Sequence, residues 1–127
     1  LSAAGPDYRP SECADHKLKK QGDEGMHLDL VQNPDILATL GSMKQEGQTL
    51  VGFALETDNE TINAQAKLAA KHLDMIVLNS LRDKGAGFMS DTNKVTIFTP
   101  HGEPEQLQLK AKQDVAHDII NAIVKLL

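Results

Sequence analysis

Apolar and polar residues follow one another along the chain with the spacings of short strands and helices. Residues 26–31 (MHLDLV) and 94–98 (KVTIF) alternate with the two-residue period of a half-buried strand. Residues 49–55 (TLVGFAL) and 74–79 (DMIVLN) are short apolar runs, typical of strands that are covered on both faces. A further short strand is predicted over residues 106–109.

Three stretches show the recurrence of apolar residues that helices require. The first follows Asn33, which is predicted to cap it, and Pro34, whose missing N–H suits the first turn. The second begins with the capping-box spacing of Thr57 and Glu60 and runs to about residue 72, and the third covers residues 111–127. The predicted inward positions are Ile36, Leu40 and Met43, then Ile62, Ala66 and Ala69, and finally Val115, Ile119, Ile123 and Leu126.

The order of these elements predicts an α/β fold. We expect three Rossmann-like layers, in which a mostly parallel sheet has helices on both faces and is followed by a C-terminal strand pair and helix. Gly52, inside a predicted strand, indicates a place where another group approaches the backbone closely. Such sheets bind ligands beyond the carboxyl ends of their strands, here residues 31–33, 53–57 and 79.

Length and composition limit the classes of protein that are compatible with this pattern. The 127 residues fit a single domain, and the aperiodic polar stretch over residues 6–25 predicts a mobile loop. The net charge of −5 argues against a general nucleic-acid binder, and no apolar run has the length of a membrane span. A single cysteine, Cys13, admits no internal disulfide and suits a cytoplasmic protein. The start, LSAAGPDYRP, leads us to expect that the domain is truncated at its N-terminus.

Several polar residues are candidates for binding an anion. The KLKK run at residues 17–20 is either a solvated charge cluster or a flexible clamp over a phosphate chain. The helix start at residues 33–36 is either a simple cap or a site where free N–H groups meet an anion. Lys67 and Lys71 are four residues apart and share a helix face. The sequence has no zinc-ligand spacing, no Gly-x-Gly-x-x-Gly and no Walker loop, so the residues alone do not indicate a reaction.

The segments DYRP, KLKK, NPDI, VGFALET, LDMIVLN and GFMSDTNKVTIF, in this order and spacing, resemble the synthetase domain of bacterial phosphopantothenoylcysteine synthetases. The resemblance extends over nearly the whole chain. It implies a ligase of coenzyme A biosynthesis that joins 4′-phosphopantothenate and L-cysteine through an acyl-cytidylate intermediate, with consumption of CTP and with Mg²⁺. It also implies a homodimer. FMN would belong to a decarboxylase domain, which we do not expect in this sequence.

The resemblance further implies ten nucleotide-binding residues. Lys17 would also be catalytic, closing its loop over the triphosphate and the intermediate. Asp7 would accept hydrogen bonds from the ribose or base, Phe53 would border the base, and Lys67 and Lys71 would bind phosphate oxygens. The NPDI segment would present backbone groups and the helix N-terminus. The complete set is Ala3, Asp7, Lys17, Asn33, Pro34, Asp35, Ile36, Phe53, Lys67 and Lys71.

Two departures from the family pattern keep alternatives open. Gly5 and Pro6 replace the middle pair of the usual Ala-Val-Ala-Asp, and proline fixes φ and removes a donor beside the proposed nucleotide. The upstream glycine-rich turn and asparagine of the family are not in this sequence, so we expect nucleotide binding without turnover by these residues alone. CTP and ATP are not distinguished. A non-catalytic nucleotide-binding module and, by fold analogy only, a dinucleotide-dependent oxidoreductase are the other candidates.

Overall fold

A computed structural model of the chain describes residues 4–19, 22, 25–80 and 91–127. The chain forms two compact units, Leu1–Ile36 and Leu37–Leu127. Ala3, Lys20 and most of the predicted 80–93 loop lie outside the described residues. The expectations of a single truncated domain and of a mobile loop over residues 6–25 stay predictions.

The first unit contains a two-stranded antiparallel ribbon. Strand β1 (Tyr8–Pro10) pairs with β2 (Leu30–Gln32), with Tyr8 opposite Gln32 and Pro10 opposite Leu30. All residues of both strands are exposed. The β1 strand lies within the stretch that we predicted as a loop, and β2 covers only the end of the strand predicted over residues 26–31. Strands of this length contain too few side chains to display a hydrophobic period.

The second unit contains the remaining elements. The one exception is Ile36, which is the first residue of α1 and the last residue of the first unit. Its larger sheet has the order β3-β4-β6-β7, and β5 pairs separately with β8. The elements are α1 (Ile36–Met43), β3 (Val51–Glu56), α2 (Glu60–Ala70), β4 (Met75–Ser80), β5 (Thr92–Asn93), β6 (Val95–Phe98), β7 (Glu105–Gln106), β8 (Lys110–Ala111) and α3 (Lys112–Leu126).

The sheet formed by the described strands is mixed. Strands β3 and β4 are parallel, with Val51 opposite Met75 and Glu56 opposite Ser80, whereas β6 is antiparallel to β4 and to β7. The predicted α/β class is confirmed, but the prediction of a mostly parallel sheet is wrong for these strands. The reason lies in the connections: α2 provides the crossover that a parallel pair needs, whereas a short turn over residues 99–104 joins β6 to β7.

Two apolar clusters cover the two faces of this sheet, which confirms helices on both sides. Alternate residues of β4 point to opposite faces, so that Ile76 and Leu78 belong to the cluster of α2, and Met75 and Val77 to the cluster of α3. The buried residues of the first cluster are Ala54, Ala64, Leu68, Leu73, Ile76, Leu78 and Phe98, and those of the second are Met75, Val77, Val95, Ile97, Leu107 and Val115.

The predicted inward face is confirmed for α3 and wrong for α2. In α3, Val115 is buried, and Ile119 and Ile123 pack against the second cluster, but the fourth predicted inward residue, Leu126, is wrong because it is 39% exposed in the last turn. In α2 the buried residues are Ala64 and Leu68, whereas Ile62 is 68% exposed. Alanine residues lie on several sides of α2, so the sequence did not indicate which side of the helix faces the core. None of the described helices has the length and apolar character needed to cross a membrane.

Two glycines explain how α1 packs. A Cβ atom at Gly41 would overlap the backbone carbonyl oxygen of Lys71, and one at Gly52 would lie 2.7 Å from Leu73 Cδ1 and 2.9 Å from Leu37 Cδ2. The close approach predicted at Gly52 is therefore confirmed. Helix α1 packs through Leu37 and Gly41 instead of the predicted Ile36–Leu40–Met43 stripe, because only a glycine permits this backbone contact; Ile36 and Met43 are 50% and 68% exposed.

Candidate functional site

Asn33 connects the two motifs of the first unit. Its side-chain Nδ2 donates a hydrogen bond to the Pro6 carbonyl (2.8 Å), and its Oδ1 accepts one from Arg9 Nη1 (2.9 Å). Its backbone N–H donates to the Asp7 carbonyl (2.8 Å). Arg9 Nη1 also reaches the Gln32 carbonyl at 3.3 Å. The ribbon thus brings the DYRP and NPDI motifs, which are more than twenty residues apart, into direct contact.

These contacts correct the predicted capping role of Asn33. Both ends of its side-chain amide are engaged within the ribbon, and α1 begins only at Ile36. Pro34 and Asp35 therefore precede the helix and are exposed. The ribbon buries little apolar surface and depends on such polar contacts. The Asn33 amide therefore bonds to Pro6 and Arg9 and does not cap the helix.

Asp7 and Lys17 offer charged groups to solvent. The Asp7 carboxylate makes no hydrogen bond to any residue that the structure describes, and Asp7 is exposed beside the start of β1. Lys17 is exposed in a stretch without regular structure and likewise bonds to no described residue. Both groups are available to a ligand.

A polar cluster lies at the carboxyl end of β3 in the second unit. Glu56, the last residue of β3, receives Lys67 Nζ at Oε1 (2.6 Å) and Asn63 Nδ2 at Oε2 (3.2 Å). Asn63 Nδ2 also donates to the Asp58 carbonyl at 3.0 Å. The hydrogen bond from Lys67 is the main reason that the pKa of Glu56 lies below its ordinary value; burial opposes this shift, and the Asn63 bond adds to it.

The neighbouring strand end carries a second polar contact. Ser80, the last residue of β4, donates its hydroxyl to Glu60 Oε1 (2.7 Å) in the first turn of α2. The capping box predicted from Thr57 and Glu60 is therefore wrong. The N-cap is Asn59, which has a left-handed backbone (φ 47°) and makes no side-chain cap bond. Within the described residues, the buried Oδ1 of Asn79 has no hydrogen-bond partner.

The structure does not bring Phe53 and Lys67 to the same face of β3. Phe53 alternates with Ala54, which packs under α2, so its ring lies on the α3 face, where it is 70% exposed. Lys67 reaches Glu56 on the α2 face. Lys71 is the C-cap residue of α2, one turn farther from the carboxyl end of β3, and its N–H donates to the Lys67 carbonyl (3.1 Å).

The opposite end of the sheet holds a groove of about 540 Å³ between α2 and the 99–102 turn. Lys44 and Asp74 form an ion pair at its edge (2.9 Å). Burial alone would raise the pKa of Asp74, but hydrogen bonds from the Leu50 N–H and from Lys44 outweigh it and lower the pKa. Of the residues predicted to bind the nucleotide, none that the structure describes lines this groove.

Sequence reasoning overlooked Arg9, Glu56 and Asn63. Arg9 was visible within DYRP, and Glu56 was visible as a charged residue that ends an apolar strand, which is where α/β sheets bind ligands. Among the described residues, no group of three or more His, Cys, Asp or Glu side chains is arranged to hold a metal ion.

The fold and the polar strand ends define a three-layer α/β domain of the Rossmann-like class. Over residues 1–127 the sequence matches the family described as "DNA/pantothenate metabolism flavoprotein C-terminal domain", and the chain belongs to this family.

Three similar proteins illustrate this membership. A cysteine/cysteine sulfinic acid decarboxylase from an unknown prokaryotic organism is 49% identical over 99% of this chain and 35% of its own length. The coenzyme A biosynthesis bifunctional protein CoaBC of Bacillus subtilis (strain 168) is 48% identical over 98% of this chain and 30% of its own length. The crystal structure of the C-terminal domain of a CoaBC protein matches with a TM-score of 0.65 and 42% identity, over 77% of this chain and 46% of that one. The chain therefore spans about a third of the length of these curated relatives.

Proposed function

We propose that this chain forms part of the nucleotide site of a phosphopantothenate–cysteine ligase of coenzyme A biosynthesis. The observation that carries the proposal is the direct contact between the DYRP and NPDI motifs, which the sequence resemblance assigns to one nucleotide site. The similarity to the C-terminal domain of CoaBC supports the same assignment. The decarboxylase name belongs to a relative of which this chain covers 35%, and we do not extend that activity to this chain.

In the proposed reaction, the carboxylate of 4′-phosphopantothenate attacks the α-phosphorus of CTP. An acyl-cytidylate forms and pyrophosphate leaves, after which the amine of L-cysteine displaces CMP and forms the amide. Two anionic substrates must approach each other, so the protein has to supply positive charge and N–H donors around the phosphates. Mg²⁺ would arrive with the triphosphate, because phosphate oxygens and water are its usual ligands.

The exposed groups of the ribbon suit this task. The Asp7 carboxylate is available to accept hydrogen bonds from the ribose or base, and Lys17 offers an exposed point charge on a flexible side chain for the triphosphate. Asn33, Pro34, Asp35 and Ile36 lead into α1 and would present their backbone to the nucleotide. Ala3 and Lys71 belong to the proposed set through the sequence resemblance.

Phe53 and Lys67 contribute from the two faces of β3 in this proposal. Because β3 is an edge strand of the described sheet, a nucleotide that touches both side chains would pass around that edge or over the carboxyl end of the strand. Phe53 would border the base, and Lys67 would bind phosphate oxygens. A homodimer in the cytoplasm, with FMN confined to a separate decarboxylase domain, completes the proposal.

The proposal is tested with CTP and ATP titrated into the protein by calorimetry in the presence of Mg²⁺. We expect CTP to bind, and we expect Lys17→Gln in the full-length protein to lower kcat/KM for CTP by about tenfold or more, because a charge-assisted contact to phosphate is lost. Lys125→Gln, an exposed lysine near the end of α3, makes the same change in charge and serves as the control. No binding of either nucleotide, or unchanged turnover in Lys17→Gln, would contradict the proposal.

A further inference from the structure

Glu56 forms an ion pair with Lys67, the proposed phosphate ligand, and is the less exposed of the two. Its side chain is 14% exposed, against 44% for Lys67. Each of its carboxylate oxygens has a hydrogen-bond donor, Lys67 on one and Asn63 on the other. The carboxylate is therefore less exposed than Lys67 and is anchored to α2 by two side chains.

Lys67 keeps most of its binding capacity in this arrangement. An ammonium group has three N–H donors, and the hydrogen bond from Lys67 Nζ to Glu56 uses one of them. A free lysine side chain loses considerable rotamer entropy when a ligand fixes it. In this protein the ion pair fixes Lys67 before any ligand arrives.

Asn63 makes the anchor stiffer. The same Nδ2 group that bonds Glu56 also donates to the Asp58 carbonyl (3.0 Å), in the turn between β3 and α2. The cluster thus joins the strand end, the turn and the helix. A carboxylate that also accepts a hydrogen bond from Asn63 fixes the position of its lysine partner more closely than an exposed ion pair, whose side chains rotate freely.

We infer that Glu56 is a positioning residue that, together with Asn63, holds the Lys67 ammonium at the carboxyl end of β3, ready to bind a phosphate group of the nucleotide. The inference rests on the proposed function. A carboxylate near a phosphate site also repels the ligand, so positioning and repulsion have opposite effects on affinity, and an experiment separates them.

The experiment measures the affinity for CTP with Mg²⁺ by calorimetry in the full-length protein and five variants. Positioning predicts that Glu56→Ala weakens binding by about threefold to tenfold, because the nucleotide must then order Lys67 itself. Glu56→Gln keeps one acceptor oxygen and so retains the bond to Lys67 or the bond to Asn63 but not both, and its affinity should lie between those of Glu56→Ala and the unchanged protein. Glu103→Ala, an exposed glutamate in the 99–104 turn, alters the net charge equally and leaves the affinity unchanged.

The last two variants, Lys67→Ala alone and Lys67→Ala combined with Glu56→Ala, test whether Glu56 acts through Lys67. We expect the double variant to bind no more weakly than Lys67→Ala alone. If Glu56→Ala weakens binding as much in the Lys67→Ala background as it does in the unchanged protein, Glu56 does not act through Lys67 and the inference is overturned. An unchanged or tighter affinity in Glu56→Ala, which is the signature of repulsion, would also overturn it.

The design also covers a variant that fails to fold and a failure of the proposed function itself. If Glu56→Ala fails to fold, Glu56→Asp replaces it: the charge remains but the shorter side chain cannot hold Lys67, so positioning again predicts weaker binding, and an unchanged affinity overturns the inference. If the unchanged protein binds neither CTP nor ATP, the proposed function fails and the inference fails with it. If the unchanged protein binds CTP and only the Glu56 variants behave otherwise than expected, the inference alone is wrong.

Discussion

Every residue of β1 and β2 is exposed, whereas four consecutive residues of β4 are buried, from Met75 to Leu78. The ribbon is held by polar contacts around Asn33, each of which contributes on the order of 1 kcal/mol to stability. The second unit is held by two apolar clusters, in which each large side chain contributes about 2 kcal/mol on burial. An isolated two-stranded ribbon is marginal in water, so its shape depends on those few polar contacts.

The two regions differ in what they provide: the second unit contains the packed core, and the first unit contains most of the proposed nucleotide-binding residues. Both clusters of buried residues come from residues after Ile36. Seven of the ten proposed nucleotide residues, from Ala3 to Ile36, belong to the first unit, and those that the structure describes are mostly exposed. Changes in the second unit should therefore appear as losses of stability, and changes in the ribbon as local opening.

The largest expected effect compares two aliphatic residues, one from each region. Ile76 is 1% exposed and Leu30 is 56% exposed. We expect Ile76→Ala to lower the free energy of unfolding by about 3 kcal/mol, because it leaves a cavity between β4 and α2. Leu30→Ala should lower it by less than about 1 kcal/mol. Urea unfolding followed by circular dichroism measures both values, and equal losses would contradict the division into a packed and an exposed region.

An intermediate effect is expected for Asp74, whose pKa is lowered by its bonds to Leu50 and Lys44. A group with a lowered pKa contributes stability above its ordinary value of 3.8, and this contribution is lost as the pH falls through the folded-state pKa. Asp74→Asn should cost about 1 kcal/mol at pH 7, and the difference should shrink as the pH falls below about 4.

The control for this second prediction comes from the ribbon unit. Asp15 is exposed and bonds to no described residue, so Asp15→Asn removes a carboxylate without removing a contact and serves as the control. The measurement is the free energy of urea unfolding between pH 7 and the acid transition. A difference between the unchanged protein and Asp74→Asn that stays constant with pH would show that the carboxylate charge has no part in the contact.

The smallest expected effect on global stability belongs to Asn33. Asn33→Ala removes the bonds to Pro6 and Arg9, and we expect the free energy of unfolding to change by less than about 1 kcal/mol. The backbone N–H of Ser11 donates to the Asp29 carbonyl at the other end of the ribbon, and its hydrogen exchange should become several-fold faster as the ribbon opens. Gln32→Ala keeps the backbone carbonyl that Arg9 contacts and is the control. Equal exchange in the two variants would mean that Asn33 does not hold the ribbon.

The elements of the second unit were predictable where apolar residues are dense. The run DMIVLN predicted β4 because a strand covered on both faces has no polar period, and the stripe from Val115 to Ile123 predicted the face of α3. The position of helix α2 in the sequence was predicted correctly, but its buried face was predicted wrongly, because alanines on several sides give no preference to one face. The β1 strand was missed because three exposed residues carry no pattern.

The site was predictable as a set of motifs and unpredictable as a set of contacts. The sequence resemblance joined DYRP to NPDI, but the bond between Arg9 and Asn33 exists only once β1 pairs with β2. Likewise, Lys67 was singled out, whereas its partner Glu56 lies eleven residues earlier in another element. Asn33 had good capping chemistry, yet long-range acceptors and donors engaged its amide. Local spacing cannot foresee such competition.

Gly52 has a consequence for how this sequence can diverge. Its missing side chain leaves the space that the methyl groups of Leu73 and Leu37 occupy. The three positions therefore share one fixed volume, and a methyl group gained at position 52 has to be compensated by a smaller residue at 37 or 73. Family members with alanine or serine at position 52 are expected to carry valine or alanine at one of the other two, so the three positions should covary.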